Sequence, residues 1–214
     1  MLRETALSPF GLQQQWAMPR LLRELEGAGG GPAAVYHSTY YLMPYSLHLP
    51  TVLTFYDLIP LQRPETMSRR ARLFYQLTLS MALNSSRHVL AISEAARRDL
   101  LARFKLPAAR VTTTPLAADA RFRPAPPEEI ARVRAAYALP DEMVLCVGIN
   151  KPHKNLPRLV EAFGRLLAQG SRAGLVLAGP WDERYPEART AAAALAGGER
   201  VRLLGPVADA DLPA

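Results

Sequence analysis

Met143-Val144-Leu145-Cys146-Val147-Gly148-Ile149-Asn150-Lys151-Pro152-His153-Lys154-Asn155-Leu156 decides the fold class. Five apolar residues read as a strand, a glycine ends it, and a polar loop leads into a helical pattern. Leu156, Leu159, Val160, Phe163, Leu166 and Leu167 fall on one face of that helix. Asn155 is its N-cap candidate, Pro157 lies in its first turn and Gly170 past its end. Strand, glycine turn and helix in succession form the repeating step of a parallel α/β sheet.

The same step recurs on both sides. Downstream, apolar runs at 174–178 and 201–204 read as further strands. Upstream, 33–36, 51–55, 88–92 and 111–114 form an earlier series. Near-continuous apolar strands of this kind predict burial on both faces. Ser93 caps a helix over 94–104, with Glu94 favourably placed at its N-terminus. A helix over 73–83 is apolar enough to be largely buried, and a charged one covers 128–137. Residues 117–140, carrying Pro124, Pro126 and Pro127, read as the linker, which gives domains 1–123 and 124–214. The first series lacks an opening strand with a glycine-rich turn, and the second stops after its third strand. Both domains therefore read as incomplete, and the chain as a central fragment.

Composition bounds the partners. With 49% apolar and 21% charged residues the chain can pack a core and is not disordered. No run approaches the roughly 20 apolar residues that span a bilayer, and the N-terminus lacks a signal-peptide stretch. Cys146 is the one cysteine, so no internal disulfide forms and a reduced cytoplasmic compartment fits. Four scattered histidines give no zinc-ligand spacing. A net charge of +7 and a pI near 9.9 suit anionic partners. Only three of the 26 basic residues are lysines, so the arginines, like the alanines, read as coding bias and solvated surface. No basic run is interleaved with aromatics as in a nucleic-acid face. A basic first domain could meet an acidic membrane surface.

The loop after Val147 stands where parallel α/β proteins hold anions, at a strand's C-terminal end and a helix N-terminus. Gly148 permits close approach of a ligand. Lys151 and Lys154 are two of the three lysines and would set compact ammonium groups beside phosphate oxygens. Gly179 ends the next strand. In the first domain Tyr56 and Asp57 end the 51–55 strand, where an aspartate serves a substrate hydroxyl or caps the next turn. Capping is the reading that position favours. His37 follows the first strand. The glycine run 27–31 precedes a strand and so reads as a loop, not a dinucleotide fingerprint. Asp209 and Asp211 spell a motif able to hold a metal-nucleotide, but their place near a helix start favours capping.

Taken in order, Tyr36-His37-Ser38, Leu53-Thr54-Phe55-Tyr56-Asp57-Leu58-Ile59-Pro60, Ala91-Ile92-Ser93-Glu94, Val147-Gly148 with His153-Lys154-Asn155-Leu156, Leu177-Ala178-Gly179-Pro180, and Leu204-Gly205 with Asp211-Leu212 resemble the family 4 glycosyltransferases. The likeness to these "group 1" retaining transferases runs from about residue 35 to 214. It implies a GT-B architecture, two Rossmann-like domains with the active site in a cleft between them. The second domain would bind a nucleotide-sugar donor without a metal or other cofactor. By the same resemblance Gly148 and Lys154 contact the donor diphosphate, with Lys151, Asn155 and Gly179 beside them. Backbone around Gly205 and Val207 approaches the base. The first domain would hold a glycan or lipid-linked acceptor, with Asp57, Tyr56 and His37 at the chemistry and Ser93 and Glu94 on the acceptor side. Polysaccharide assembly in the cytoplasm, peripheral to the inner membrane face, follows from the likeness.

Departures from the family pattern bear on these roles. Many relatives carry His-Asp where this chain has Tyr56-Asp57, and Arg-Lys where it has His153-Lys154. The family's paired glutamates fall beyond Ala214, so the fragment alone reads as inactive. The competing readings are another GT-B enzyme such as a nucleotide-sugar epimerase, and a non-catalytic nucleotide-sugar or polyanion-binding module. A nicotinamide dehydrogenase is disfavoured, because no glycine fingerprint follows a strand.

Overall fold

The computed structural model describes Ser8 and residues 11–27 and 34–214. These form two compact units, Met1–Ala117 and Ala118–Ala214. The division falls upstream of Pro124. Arg121 explains the difference, since its guanidinium grips Asp209 of the second unit, with nitrogen–oxygen distances of 2.5 and 3.2 Å.

In the first unit a four-stranded sheet has the order β1-β2-β3-β4, with every pair parallel. Its strands are β1 (Tyr36–Ser38), β2 (Thr51–Phe55), β3 (His88–Ala91) and β4 (Val111–Thr113). β1 sits later than the 33–36 run, of which Ala33 lies outside the described residues, as does most of the glycine run 27–31. Among the described residues four α-helices accompany the sheet: α1 (Gln14–Leu25), the single-turn α2 (Ile59–Gln62), α3 (Arg69–Ser85) and α4 (Glu94–Phe104). The periodicity did not reveal α1. Ser68 and Ser93 cap α3 and α4 through side chains that accept from the amides of Ala71 and Ala96. The core joins Leu53 and Phe55 of β2, Val89 of β3 and Val111 of β4 to Leu79 and Leu83 of α3 and Leu100 of α4.

α3 corrects an expectation. It is not largely buried: Tyr75, Thr78, Leu79, Ala82 and Leu83 face the core, while Leu73, Phe74, Leu77 and Met81 are exposed. The helix is apolar on two faces, and one sheet can cover only one of them.

The second unit carries a three-stranded parallel sheet, β5 (Met143–Val147), β6 (Gly174–Ala178) and β7 (Val201–Gly205), in that order. Helix α5 (Pro127–Ala136) precedes it, α6 (Leu156–Ala168) joins β5 to β6 and α7 (Glu187–Ala194) joins β6 to β7. Leu156, Val160 and Phe163 of α6 pack against Leu175 and Leu177 of β6 and against Ala188 and Ala192 of α7. The alanine-rich stretch 191–196 spans the end of α7 and the loop after it. The missing side chain of Gly164 in α6 lets Leu195 come close, since a Cβ there would lie 2.4 Å from the Leu195 side chain.

Burial on both faces holds only for β6, which is central. β5 is an edge strand whose Leu145 and Val147 stand about half exposed over an apolar hollow shared with Val133, Leu204 and Leu212. The contrast is measurable. Leu175→Ala should cost about 2–5 kcal/mol in urea denaturation, while Leu145→Ala should cost under about 1 kcal/mol. Equal costs would contradict this division of the sheet.

Candidate functional site

Parallel pairing brings the C-terminal ends of β5, β6 and β7 onto one edge, and each of these strands runs into a glycine with positive φ. Gly148 has φ +143°, Gly179 +136° and Gly205 +71°. The amide of Gly148 donates to the carbonyl of Ala178, and that of Gly179 to the carbonyl of Gly205, both at 2.8 Å. Gly179 leaves no room for a side chain: a Cβ there would fall 2.5 Å from the Gly148 oxygen and 2.8 Å from its carbonyl carbon. Three of the glycines and glycine-flanking positions expected at the donor site are thus one continuous strip of bare backbone.

Lys154 lies over this strip. Its Cε is 3.7 Å from where a Gly148 Cβ would stand, its side chain is exposed, and it makes no ion pair among the described residues. A short 3-10 turn, Pro152–Lys154, presents it. Asn155 follows with φ +52°, a conformation that asparagine tolerates. That geometry corrects its expected role, because its side chain makes no capping bond to α6.

Lys151 is differently placed. Its ammonium sits 2.8 Å from Asp182 and 5.2 Å from the centre of the Tyr185 ring. Buried Asn150 locks the same turn: its Nδ2 donates to the carbonyls of Asp182 and Tyr185, and its Oδ1 accepts from the Asp182 amide. Hydrogen bonds from Arg184 and then Lys151 hold the Asp182 carboxyl well below the usual carboxylate range. Lys151 and Asn155 line a cavity of about 160 Å³ together with Glu187, whose carboxylate opposes a second anion there. The four expected loop residues therefore fall into two pairs. Gly148 with Lys154 forms an open cationic strip, and Lys151 with Asn155 edges a braced turn. Asn150 and Asp182 escaped sequence reading because they meet across 32 positions with no local pattern.

Val207 lines the apolar hollow beside Leu204 and Val147 rather than the strip. Asp209 and Asp211 do not cap a helix. Asp211 accepts from Arg132 at 2.5 Å and from the Tyr137 hydroxyl at 2.8 Å, and Asp209 pairs with Arg121, so both tie the 208–214 turn to the start of the unit. Among the described residues no group of three metal-ligating side chains comes together.

In the first unit, a cavity of about 190 Å³ opens at the C-terminal end of β2. Tyr56 and Asp57 line it, with Tyr40, Tyr41, Tyr75 and Thr54. The Asp57 carboxylate accepts from the Ile59 amide at 3.0 Å, the capping role that position favoured, and still faces solvent. Tyr75 donates to the Asp57 carbonyl at 2.8 Å, and burial, then the Asp57 charge, push its phenol further above the ordinary value. Tyr41 packs edge-on against Tyr75 with ring centres 4.8 Å apart. His37 lies within β1 rather than after it. Its Nε2 is 2.8 Å from Thr54 Oγ1, so it reaches the cavity through that threonine. Ser93 and Glu94 do not line it. Ser93 caps α4, and Glu94 accepts from the Thr113 hydroxyl and lies 3.9 Å from Arg97. The tyrosines other than Tyr56 were not foreseen, being spread from 40 to 75.

Two parallel sheets with ligand-type cavities at their strand ends define a Rossmann-like class, and comparison with solved structures places the chain in the GT-B form of it. Anabaena HepE, solved with UDP and glucose, aligns with a TM-score of 0.66 at 19% identity, covering 96% of this chain and 55% of that one. A glycosyltransferase from Rickettsia africae ESF-5 aligns at 0.64 and 16% identity, covering 99% and 55%. The sequence model of Glycosyltransferase Family 4 matches residues 3–122, more than half the chain, and the chain belongs to that family. It is 28% identical over 183 residues to O-antigen chain mannosyltransferase B of Escherichia coli. That match covers 84% of this chain and 47% of the relative, so the chain spans about half of the relative's length.

Two outcomes test this geometry. Gly179→Ala should destabilise by about 2 kcal/mol or more, read from the urea midpoint, because both the positive φ and the contact with Gly148 resist a methyl group. A neutral result would show that the strip has room. The depressed Asp182 carboxyl adds stability that is whole above the unfolded-state value near 3.9 and erodes as pH falls below it. The stability gap between wild type and Asp182→Asn should therefore stay constant from neutral pH to that value and narrow only in stronger acid.

Proposed function

We propose that this chain contributes the donor-binding and acceptor-side surfaces of a hexosyltransferase. The enzyme would move a sugar, with retention of configuration, from a nucleotide-diphosphate donor to a glycan or lipid-linked acceptor. The carrying observation is Lys154 laid over Gly148 in the row of glycine strand ends. Bare backbone admits a diphosphate at contact distance, and an ammonium that makes no ion pair among the described residues stands beside it. In the transfer, the anomeric carbon exchanges its bond to the diphosphate oxygen for one to the acceptor hydroxyl, whose proton leaves with the diphosphate. Negative charge grows on the departing phosphate, and Lys154 with the loop amides stabilises it more than the bound donor.

Lys151 has a positioning role here, since Asp182 engages it and it braces the loop from behind. The family membership, the mannosyl transfer in the printed name of the Escherichia coli relative and the UDP and glucose bound to HepE support a hexose donor. The tyrosine-lined cavity supports an acceptor with sugar-like faces, Asp57 offering an acceptor for its hydroxyls. Tyr56 lines the cavity as a half-exposed phenol, so its part is hydrogen bonding and packing.

A thermal-shift panel of nucleotides and nucleotide sugars tests the donor reading. At 100 times the dissociation constant a bound ligand should add about 2.7 kcal/mol of stability. Lys154→Ala should abolish the shift and Lys154→Arg should retain part of it. Lys151→Ala should lower stability without removing the response. A shift that survives Lys154→Ala intact would overturn the assignment.

A further inference from the structure

We infer that the tyrosine-lined cavity of the first unit admits a sugar ring that carries no acidic group, and turns away uronic acids and sugar phosphates. The inference rests on the acceptor reading above and names the class of sugar that the same cavity takes.

Charge carries the case. The chain has 26 basic residues against 19 acidic ones, so its overall field draws anions. Yet none of the nine residues lining this cavity is basic, and one of them, Asp57, is a carboxylate. Its Oδ1 accepts from the Ile59 amide at 3.0 Å, and Oδ2 has no hydrogen-bond partner among the described residues. Nor does Asp57 form an ion pair among them, so no cation offsets its charge. His37 stands behind Thr54, 2.8 Å from its hydroxyl, and lines a different hollow with Tyr36 and Ser38. The second unit is the opposite case. There the glycine strand ends carry Lys154, a cation suited to phosphate, whereas the loop after β2 carries a carboxylate.

The rest of the lining suits the faces of an uncharged ring. Tyr40 and Tyr41 lie with ring centres 4.4 Å apart, and Tyr41 meets Tyr75 edge-on. Aromatic rings of this kind offer flat apolar surface to the C–H groups of a sugar. Burial pushes the phenols of Tyr41 and Tyr75 further above the ordinary value, so both stay uncharged. At about 190 Å³ the cavity is below the roughly 300–1,000 Å³ of sites that enclose a drug-sized ligand, so it holds one ring. A hydroxyl of that ring can donate to Oδ2 of Asp57. A carboxylate or phosphate in its place would face a like charge at contact distance, with no cation to relieve either. Acid groups beyond that ring lie outside the cavity and are not selected against.

Saturation-transfer NMR with the full chain tests it, using methyl glycosides of glucose, mannose and galactose against the matching uronic acids and 6-phosphates. The neutral glycosides should bind, and the acidic forms should bind about 10-fold more weakly or worse, by a margin that narrows as salt rises. Asp57→Asn keeps an oxygen for the Ile59 amide and removes the charge, so it should close most of the gap by raising acid binding. Tyr56→Lys, at a position 41% exposed, sets a cation at the rim and should reverse the preference. Circular dichroism checks that each variant is folded, and either variant alone decides the matter. Equal binding of neutral and acidic forms by the wild type would overturn the exclusion and leave the acceptor reading standing. A preference that neither folded variant changes would also overturn it, because the discrimination would then arise elsewhere. No signal from any glycoside would bring down the acceptor reading and the exclusion together.

Discussion

Parallel strand pairing is the constraint from which both units follow. Two parallel strands cannot be joined by a hairpin, so each must return through a crossover, here mostly a helix. Every strand then points the same way and all C-terminal ends gather on one edge of its sheet. Residues far apart in the chain meet there without any need to attract one another. Gly148, Gly179 and Gly205 are assembled in this manner, as are Tyr56, Asp57 and the residues after β3.

At the second unit's edge, the approach of Gly179 to Gly148 sets the geometry of the whole loop. Because no Cβ separates them, the first peptides after β5 and β6 pack against one another and the loop folds back with Lys154 above the contact. Asn150 and the Lys151–Asp182 pair then fix the far side of the turn through hydrogen bonds to backbone and carboxylate. The braced loop thus presents one ammonium, that of Lys154, which makes no ion pair among the described residues. One lysine of the loop is held by Asp182, and the other lies exposed over Gly148.

The arginines show how far composition can mislead. Read in bulk they are surface charge, and Arg69 and Arg70 behave so. Yet Arg110 donates to the carbonyls of Leu83 and Ser86 at the end of α3, and Arg97 to that of Val111, closing helix and strand ends in the first unit. Arg121 and Arg132 tether the two aspartates whose spacing suggested a metal site. Such roles depend on which carbonyl or carboxylate arrives nearby, and that is decided by folding.

Local pattern was enough for the strands at 51–55, 143–147 and 174–178, for the helices after Ser93 and Asn155, and hence for the parallel α/β class, because hydrophobic period and capping are encoded within a few neighbouring residues. It was also enough to mark Gly148 and Lys154, which stand in one loop. Tertiary structure alone decided three further matters. The first is which strand is central, and so that Leu145 is uncovered while Leu175 is buried. The second is which face of the doubly apolar α3 meets the core. The third is that Lys151 is claimed by Asp182 and that four tyrosines converge beside Asp57. Each turns on contacts between residues tens of positions apart, and an apolar side chain or a lysine carries no mark of the partner that the fold will bring to it.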